Sequence, residues 1–342
     1  MSSLPPGTFG AEVTANETSF QTPEPGVTRP QLSAIVSRSP GSLAWERFRS
    51  DRKTVIAGIV VAVYVVLAIL APILVSLHVL DPYTAHPSLI NVESLPTGGT
   101  GVSWAHPFGV EPGIGRDTLS RVGYGLSLSL FISAFAATLA VIIGVILGIV
   151  AGMSRGWADT LIGRLVDLVL SFPQTLMLLA LSGVFIGILT GTLKVPAGDT
   201  AQATYVIVVL AVFGWPPVTR VVRGQVLSLR EREFIDAARL LGAGRGRLYF
   251  KEVLPNLWAP ILVQFTLILP AYVSAEAALS YLGVSIRPPT PTLGNMLTSA
   301  LQYATSDFLY FIIPALLLVI VVVSFNLLGD GLRDALDPKT NR

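Results

Sequence analysis

A chain of 342 residues in which 52% are hydrophobic and only 13% are charged has too little polar surface for a soluble globular protein, so a membrane location is the first expectation. The net charge of +2 leaves neither sign dominant, and three histidines are too few for a metal-rich or acid/base-rich protein. Cysteine is absent, which excludes disulfides, thiolate metal sites and cysteine nucleophiles together.

The first 41 residues are rich in Pro, Ser, Thr and Gly and lack hydrophobic periodicity, the composition of a disordered tail. Met1 to Pro6 carries no basic patch leading into an apolar core, so no cleavable signal peptide is expected and the first apolar span must target the chain. Asn16-Glu17-Thr18 matches a glycosylation sequon by coincidence, because the tail is expected in the cytoplasm. Leu43, Trp45 and Phe48 then alternate with Arg47, Arg49, Arg52 and Lys53. That pattern suits a short helix on an anionic membrane surface, and equally an ordinary basic flank.

A crossing needs roughly 20 apolar residues. Residues 55–77, 126–151, 168–189, 201–219, 253–275 and 308–329 qualify in turn, the fourth being short and interrupted by Pro216-Pro217. Prolines within these segments are tolerated in a membrane bundle, where neighbours satisfy the freed carbonyls. The fold expected is therefore an all-α integral membrane protein with six transmembrane helices. It divides into an N-terminal tail over 1–54, a first transmembrane helix over 55–77, an external loop over 78–125, a core over 126–330 with five more helices, and a C-terminal tail over 331–342. Within the core, a loop over about 220–256 is cytoplasmic. With the tail inside, 19 of the 23 Lys and Arg fall on the inner side, so both termini are expected to be cytoplasmic.

The loop over 220–256 holds the densest local signals. Ser228-Leu229-Arg230-Glu231 has the spacing of a capping box, and Gly242 supplies a left-handed stop. Between them Phe234, Ala238 and Leu241 fall at i, i+4 and i+7, one apolar stripe on a helix of about three and a half turns. Small side chains at Ala237 and Ala238 allow a partner close approach. Gly244 and Gly246 permit a sharp turn, after which Leu248, Tyr249, Phe250 and Leu254 form a second apolar set ended by Pro255. A membrane-surface helix pair with no partner has the same periodicity.

Asp236-Ala237-Ala238-Arg239-Leu240-Leu241-Gly242, with Leu254-Pro255-Asn256 beyond it, resembles the "EAA" loop of bacterial ABC importer permeases. The resemblance extends to His106-Pro107-Phe108-Gly109 and the run 115–125, to Leu279-Ser280-Tyr281-Leu282-Gly283 with Pro288-Pro289-Thr290-Pro291 and Gly294-Asn295-Met296-Leu297, and to the segment 326–338. Together these are similar to the C-type permease subunit of dipeptide and oligopeptide importers. The pattern departs at Asp236, where many importers have Glu, and at Glu252, where Ile or His is frequent. The resemblance implies the type I importer permease fold. It also implies that Phe234, Asp236, Ala237, Ala238, Leu241 and Gly242 form a short helix docking into a cleft on a cytoplasmic ATPase. Implied partners are a B-type permease, ATPase subunits, an external substrate-binding protein and a peptide substrate; nickel, glutathione, haem and opine importers share the pattern. The chain is then not an enzyme and binds no cofactor, ATP and Mg being used by the ATPases.

Other motifs point elsewhere and fail. Gly152-Met153-Ser154-Arg155-Gly156 matches a nucleophile elbow, but it ends a membrane helix, and His78, His86 and His106 lie on the opposite side. Gly242-Ala243-Gly244-Arg245-Gly246 lacks the strand and spacing of a phosphate loop, and no Walker motif occurs. An ion-coupled transporter would show more spans, an inverted repeat and midplane carboxylates. Glu276 is the one acidic residue deep in apolar surroundings, and it is expected to face the translocation path, a partner helix or the outer water. Gln174, Gln264 and Asn326 are candidates for helix-to-helix hydrogen bonds, and Asp167 for the cytoplasmic end of its span.

Overall fold

The computed structural model describes residues 40–154 and 156–336. The tail and its sequon, Arg155 and the last six residues lie outside them.

Eleven α-helices are described: α1 (Pro40–Ser50), α2 (Arg52–Ser76), α3 (Thr118–Met153), α4 (Trp157–Ser171), α5 (Gln174–Gly191), α6 (Asp199–Leu229), α7 (Glu233–Leu240), the single turn α8 (Arg245–Arg247), α9 (Trp258–Tyr281), α10 (Leu293–Leu301) and α11 (Phe308–Leu336). Six helical stretches among the described residues are long and apolar enough to cross a membrane: α2, α3, α5, α6, the continuous run Arg245–Tyr281 and α11. A Cβ at Gly331 would run into Thr54, so the start of α2 and the end of α11 lie side by side. Both described chain ends therefore share one end of the bundle, together with α7. The segments 77–117, 192–198 and 282–307 occupy the other.

Most predicted spans recur with shifted limits. α2 opens at Arg52 because Asp51 caps it, its carboxylate accepting from the Lys53 and Thr54 amides at 3.2 and 3.3 Å. α3 opens at Thr118, about two turns ahead of the predicted Leu126. There the Asp117 carboxylate accepts from the Ser120 amide at 2.7 Å, and the polar first turns that read as loop are buried against the 77–117 segment.

The third span differs more. Residues 168–189 form two helices, because Pro173 forces Phe172 into extended backbone and cannot donate to the preceding turn. α4 ends at Ser171, and α5 crosses alone with about 27 Å of length. α6 runs straight through Pro216-Pro217 to Leu229. Its last turns continue a buried face of Val218, Val222 and Val226, so tertiary packing carries the helix past the predicted end at Thr219.

The most extensive helix contact joins α3 and α6. A Cβ at Gly144 would stand 2.5 Å from Val218 Cβ, one at Gly148 2.7 Å from Val222 Cβ, and one at Gly152 2.6 Å from Val226 Cβ. Three small residues four apart thus seat three valines four apart. Lipid tails remove the hydrophobic drive between helices, so such dispersion-rich close packing is what holds them together. Thr219 adds a hydroxyl donated to Gly144 O at 3.2 Å.

Candidate functional site

The predicted capping box does not form. Ser228 lies in the last turn of α6, and the short helix opens at Glu233 with Arg232 as an N-cap that makes no side-chain cap. Arg230 makes the turn: its Nη1 donates to Gly152 O at 3.0 Å and its Nε lies 2.9 Å from Glu231 Oε1. α7 is therefore eight residues long, shorter than the predicted helix. Its end is as expected. Gly242 takes φ +79°, its amide bonds Arg239 O at 2.9 Å, and the Ala243 amide bonds Ala238 O at 3.0 Å, closing the last carbonyls with a left-handed residue.

The expected stripe of Phe234, Ala238 and Leu241 is split. Ile235 and Ala238 turn inward onto Val226, Leu248, Val253 and Leu257, in a cluster continuous with Val145 and Ile149 of α3. Phe234, Ala237 and Leu241 face out with Leu240, the two leucines 81% and 90% exposed. Asp236 pairs with Arg239 at 2.9 Å on the outer face. Ile235, which the sequence reading passed over, is thus the main anchor, and its i, i+3 spacing to Ala238 was the available signal. α7 is riveted by one apolar face and presents a second.

Gly244 carries an ordinary φ of −69° and Gly246 sits inside α8, so neither makes the expected sharp turn. The second apolar set does not end at Pro255 either. Leu248–Val253 forms a wide π-type turn, Leu254–Leu257 a 3-10 turn that takes Pro255 in its first positions, and the chain runs into α9 without a break. Glu252, the departure from the importer pattern, lies 3.6 Å from Arg247 Nε. Beside it, Phe250, Leu254, Trp258 and Phe265 line an apolar cavity of about 600 Å³ against Thr138 and Ile142 of α3.

On α4, Asp159 bonds Arg223 at 2.6 and 2.8 Å, and Asp167 bonds Arg220 at 2.6 Å. The Arg223 hydrogen bonds hold the Asp159 carboxyl below its ordinary value. Gln174 and Gln264 are half-buried and Asn326 is exposed.

Of the surroundings expected for Glu276, the structure gives a neighbouring helix and not the outer water. Glu276 is fully enclosed by its own chain. Oε1 accepts from Ser280 Oγ at 3.0 Å and Ser285 Oγ at 2.9 Å, and Oε2 accepts from Ser129 Oγ at 3.0 Å. Spacing hid this arrangement, since Ser129 lies on α3 and Ser285 beyond α9.

At the same end a second buried polar group orders the 77–117 segment. Glu111 holds Arg116 Nε at 2.6 Å and accepts from Tyr310 Oη at 3.1 Å, while Arg121 donates to Pro82 O and Pro289 O, each at 3.1 Å. His106 Nδ1 meets Asp117 at 2.9 Å and its ring lies 5.1 Å from that of His86. No cluster of three or more His, Asp or Glu suited to a metal occurs among the described residues.

The described residues thus form a polytopic helical bundle with a short helix pinned at one end. The family model for the binding-protein-dependent transport system inner membrane component matches residues 144–342, and that for the N-terminal TM domain of oligopeptide transport permease C matches residues 39–91. The chain is 36% identical to the dipeptide transport system permease protein DppC of Alkalihalophilus pseudofirmus, over 94% of this chain and 96% of that one. It is also 36% identical to the glutathione transport system permease protein GsiD of Shigella flexneri, over 88% and 91%. Among solved structures, a chain of the MetNI methionine ABC transporter in inward-facing conformations shares the fold, with a TM-score of 0.50 at 19% identity over 64% of this chain and 97% of that one. This chain belongs to the family of binding-protein-dependent transport system inner-membrane components, the non-catalytic permeases of ABC transporters, and is a multi-pass inner-membrane protein.

Proposed function

We propose that this chain is the C-type permease of an ATP-driven importer of di- or oligopeptides, paired with a B-type permease and served by cytoplasmic ATPases and an external binding protein. The observation that carries the coupling mechanism is α7: Ile235 and Ala238 are buried in the cluster that continues the α3–α6 seam, while Phe234, Leu240 and Leu241 are left exposed. A defined helix with an unpartnered apolar face fits a docking surface. An ATPase cleft closing on ATP would pull that face, and the buried one would carry the displacement into α3 and α6 as a rigid pair. Phe234, Asp236, Ala237, Ala238, Leu241 and Gly242 are the coupling residues in this reading, and ATP and Mg are bound by the ATPases. The Lys- and Arg-rich end bearing α7 faces the cytoplasm.

Glutathione is the second substrate reading, favoured by the similarity to GsiD. The experiment is uptake in cells lacking this permease and complemented by it, with labelled dipeptides, a pentapeptide and glutathione in turn. Peptide uptake that needs ATP and a binding protein is the expected result; glutathione uptake alone selects the second reading. Orientation is tested with an impermeant thiol reagent, since the chain has no native cysteine. Ser88→Cys should react in intact cells and Ser228→Cys should not. Thr292, an obvious loop position by sequence, is fully buried and unsuited to this test.

A further inference from the structure

Glu276 is an acidic side chain near the far end of a membrane-spanning helix, with no cation among its partners and three serine hydroxyls around it. An ionisable group is costly there, and a neutral residue would fill the space at less expense, so its presence points to a role. The three donors come from three places: Ser129 from α3, Ser280 from α9 itself, and Ser285 from the loop that leads to α10. Ser129 is also an acceptor, taking the backbone amide of Leu293, the first residue of α10, at 3.0 Å. A directed chain results: Leu293 N–H donates to Ser129 Oγ, whose hydroxyl donates to Glu276. Thr292 and Asn295 cap the same turn reciprocally, at 3.1 and 3.0 Å. Close packing reinforces it, since a Cβ at Gly294 would stand 2.6 Å from Ala277 Cα on α9.

We propose that Glu276 is a positioning residue: through Ser129 and Ser285 it fixes the first turn of α10 and its leading loop onto α3 and α9, so that α10 holds the attitude an external binding protein engages. The inference depends on the importer reading for that partner alone. A hydrogen-bond chain with one fixed direction either closes or does not, unlike a sliding apolar contact, and it therefore links the outer helix to the crossing helices as one body. Glutamine cannot replace the carboxylate. Its carbonyl can keep Ser280 and Ser285, but its NH₂ facing Ser129 must donate, which reverses that bond and leaves the Ser129 hydroxyl proton without the carboxylate as acceptor.

The test uses the full assembled transporter in nanodiscs with a nitroxide at Leu301→Cys, which is exposed on α10. Ser133→Ala is the control, because Ser133 is an equally buried α3 hydroxyl with no hydrogen-bond partner. Glu276→Gln and Ser129→Ala should each introduce a mobile component in the label's spectrum and lower binding-protein-stimulated ATP hydrolysis about tenfold, an ordinary size for coupling between sites. Basal hydrolysis without binding protein should stay unchanged, and Ser133→Ala should alter neither. A label that stays immobile in both variants with full stimulation overturns the proposal, as does an equal effect of Ser133→Ala. If the unsubstituted transporter shows no stimulation by any binding protein, the importer reading fails, while the label still decides whether Glu276 holds α10.

Discussion

The two ends of the bundle differ in what they bury: mostly apolar side chains at one, a polar network at the other. At the α7 end, Ile235, Ala238, Leu248 and the valines of α6 pack mainly by shape against an α3 face cleared of side chains at Gly144, Gly148 and Gly152, with Thr219 and Arg230 adding single hydrogen bonds to the Gly144 and Gly152 carbonyls. At the α10 end, Glu111, Arg116, Arg121, Glu276 and their hydroxyl partners are buried and joined by directed hydrogen bonds. Apolar packing has no preferred partner atom and passes a push along as a rigid body. A buried polar network is satisfied in one arrangement and costly in others, so it selects discrete states. The difference fits the proposed roles, transmission at one end and registry at the other.

The largest effect should come from breaking the seam. Gly148→Leu puts a side chain where even a Cβ stands 2.7 Å from Val222. Overpacking ordinarily costs about 1–3 kcal/mol and more where backbone also blocks relief, as the Thr219 carbonyl does here, so the melting temperature of the purified permease should fall further than in any variant below. Adding Val222→Ala should restore part of the loss, which would localise the effect to the seam. Ile235→Ala comes next. Truncating this fully buried side chain removes about 2–4 kcal/mol of packing, and it should loosen α7 as hydrogen exchange at 233–243 while sparing the 77–117 segment. Equal loosening at both ends would erase the distinction drawn above.

Leu240→Ser with Leu241→Ser should change stability by no more than about 0.5 kcal/mol, because both side chains are already exposed. ATPase recruitment and uptake should nevertheless be lost together. The smallest effect belongs to Asp159. Its carboxyl is held below the ordinary value by Arg223, so its contribution is fully present above the unfolded carboxylate range and fades only as pH falls through the depressed folded value. Both side chains are partly exposed, so Asp159→Asn should cost under about 1 kcal/mol near neutral pH, and urea unfolding at pH 7 and pH 3 should show the gap narrowing at the lower pH.

The crossings were legible because a run of apolar residues has few other uses in so poorly charged a chain. The breaks were less so. Pro173 ends a helix while Pro216 and Pro217 do not, and only the valine face packed on α3 distinguishes them. The left-handed stop at Gly242 was readable from local chemistry, whereas the capping box at Ser228 was overridden by the continuing face of α6. In α7 the spacing gave three apolar positions but not which way each one turned, because Phe234 and Ile235 are adjacent and only the neighbouring Leu248 and Val253 decide between them. Glu276 stood out by its type, yet its partners come from α3 and a distant loop, and no local pattern could bring them together.

Whether the exposed face of α7 meets an ATPase is decided by photocrosslinking from p-benzoylphenylalanine placed at Leu241 in the assembled transporter. The expected result is an ultraviolet-dependent adduct with the ATPase subunit, abolished by Gly242→Val, which distorts the turn beside it. An adduct with lipid or with the partner permease, in a preparation where the ATPase co-purifies at full occupancy, would contradict it.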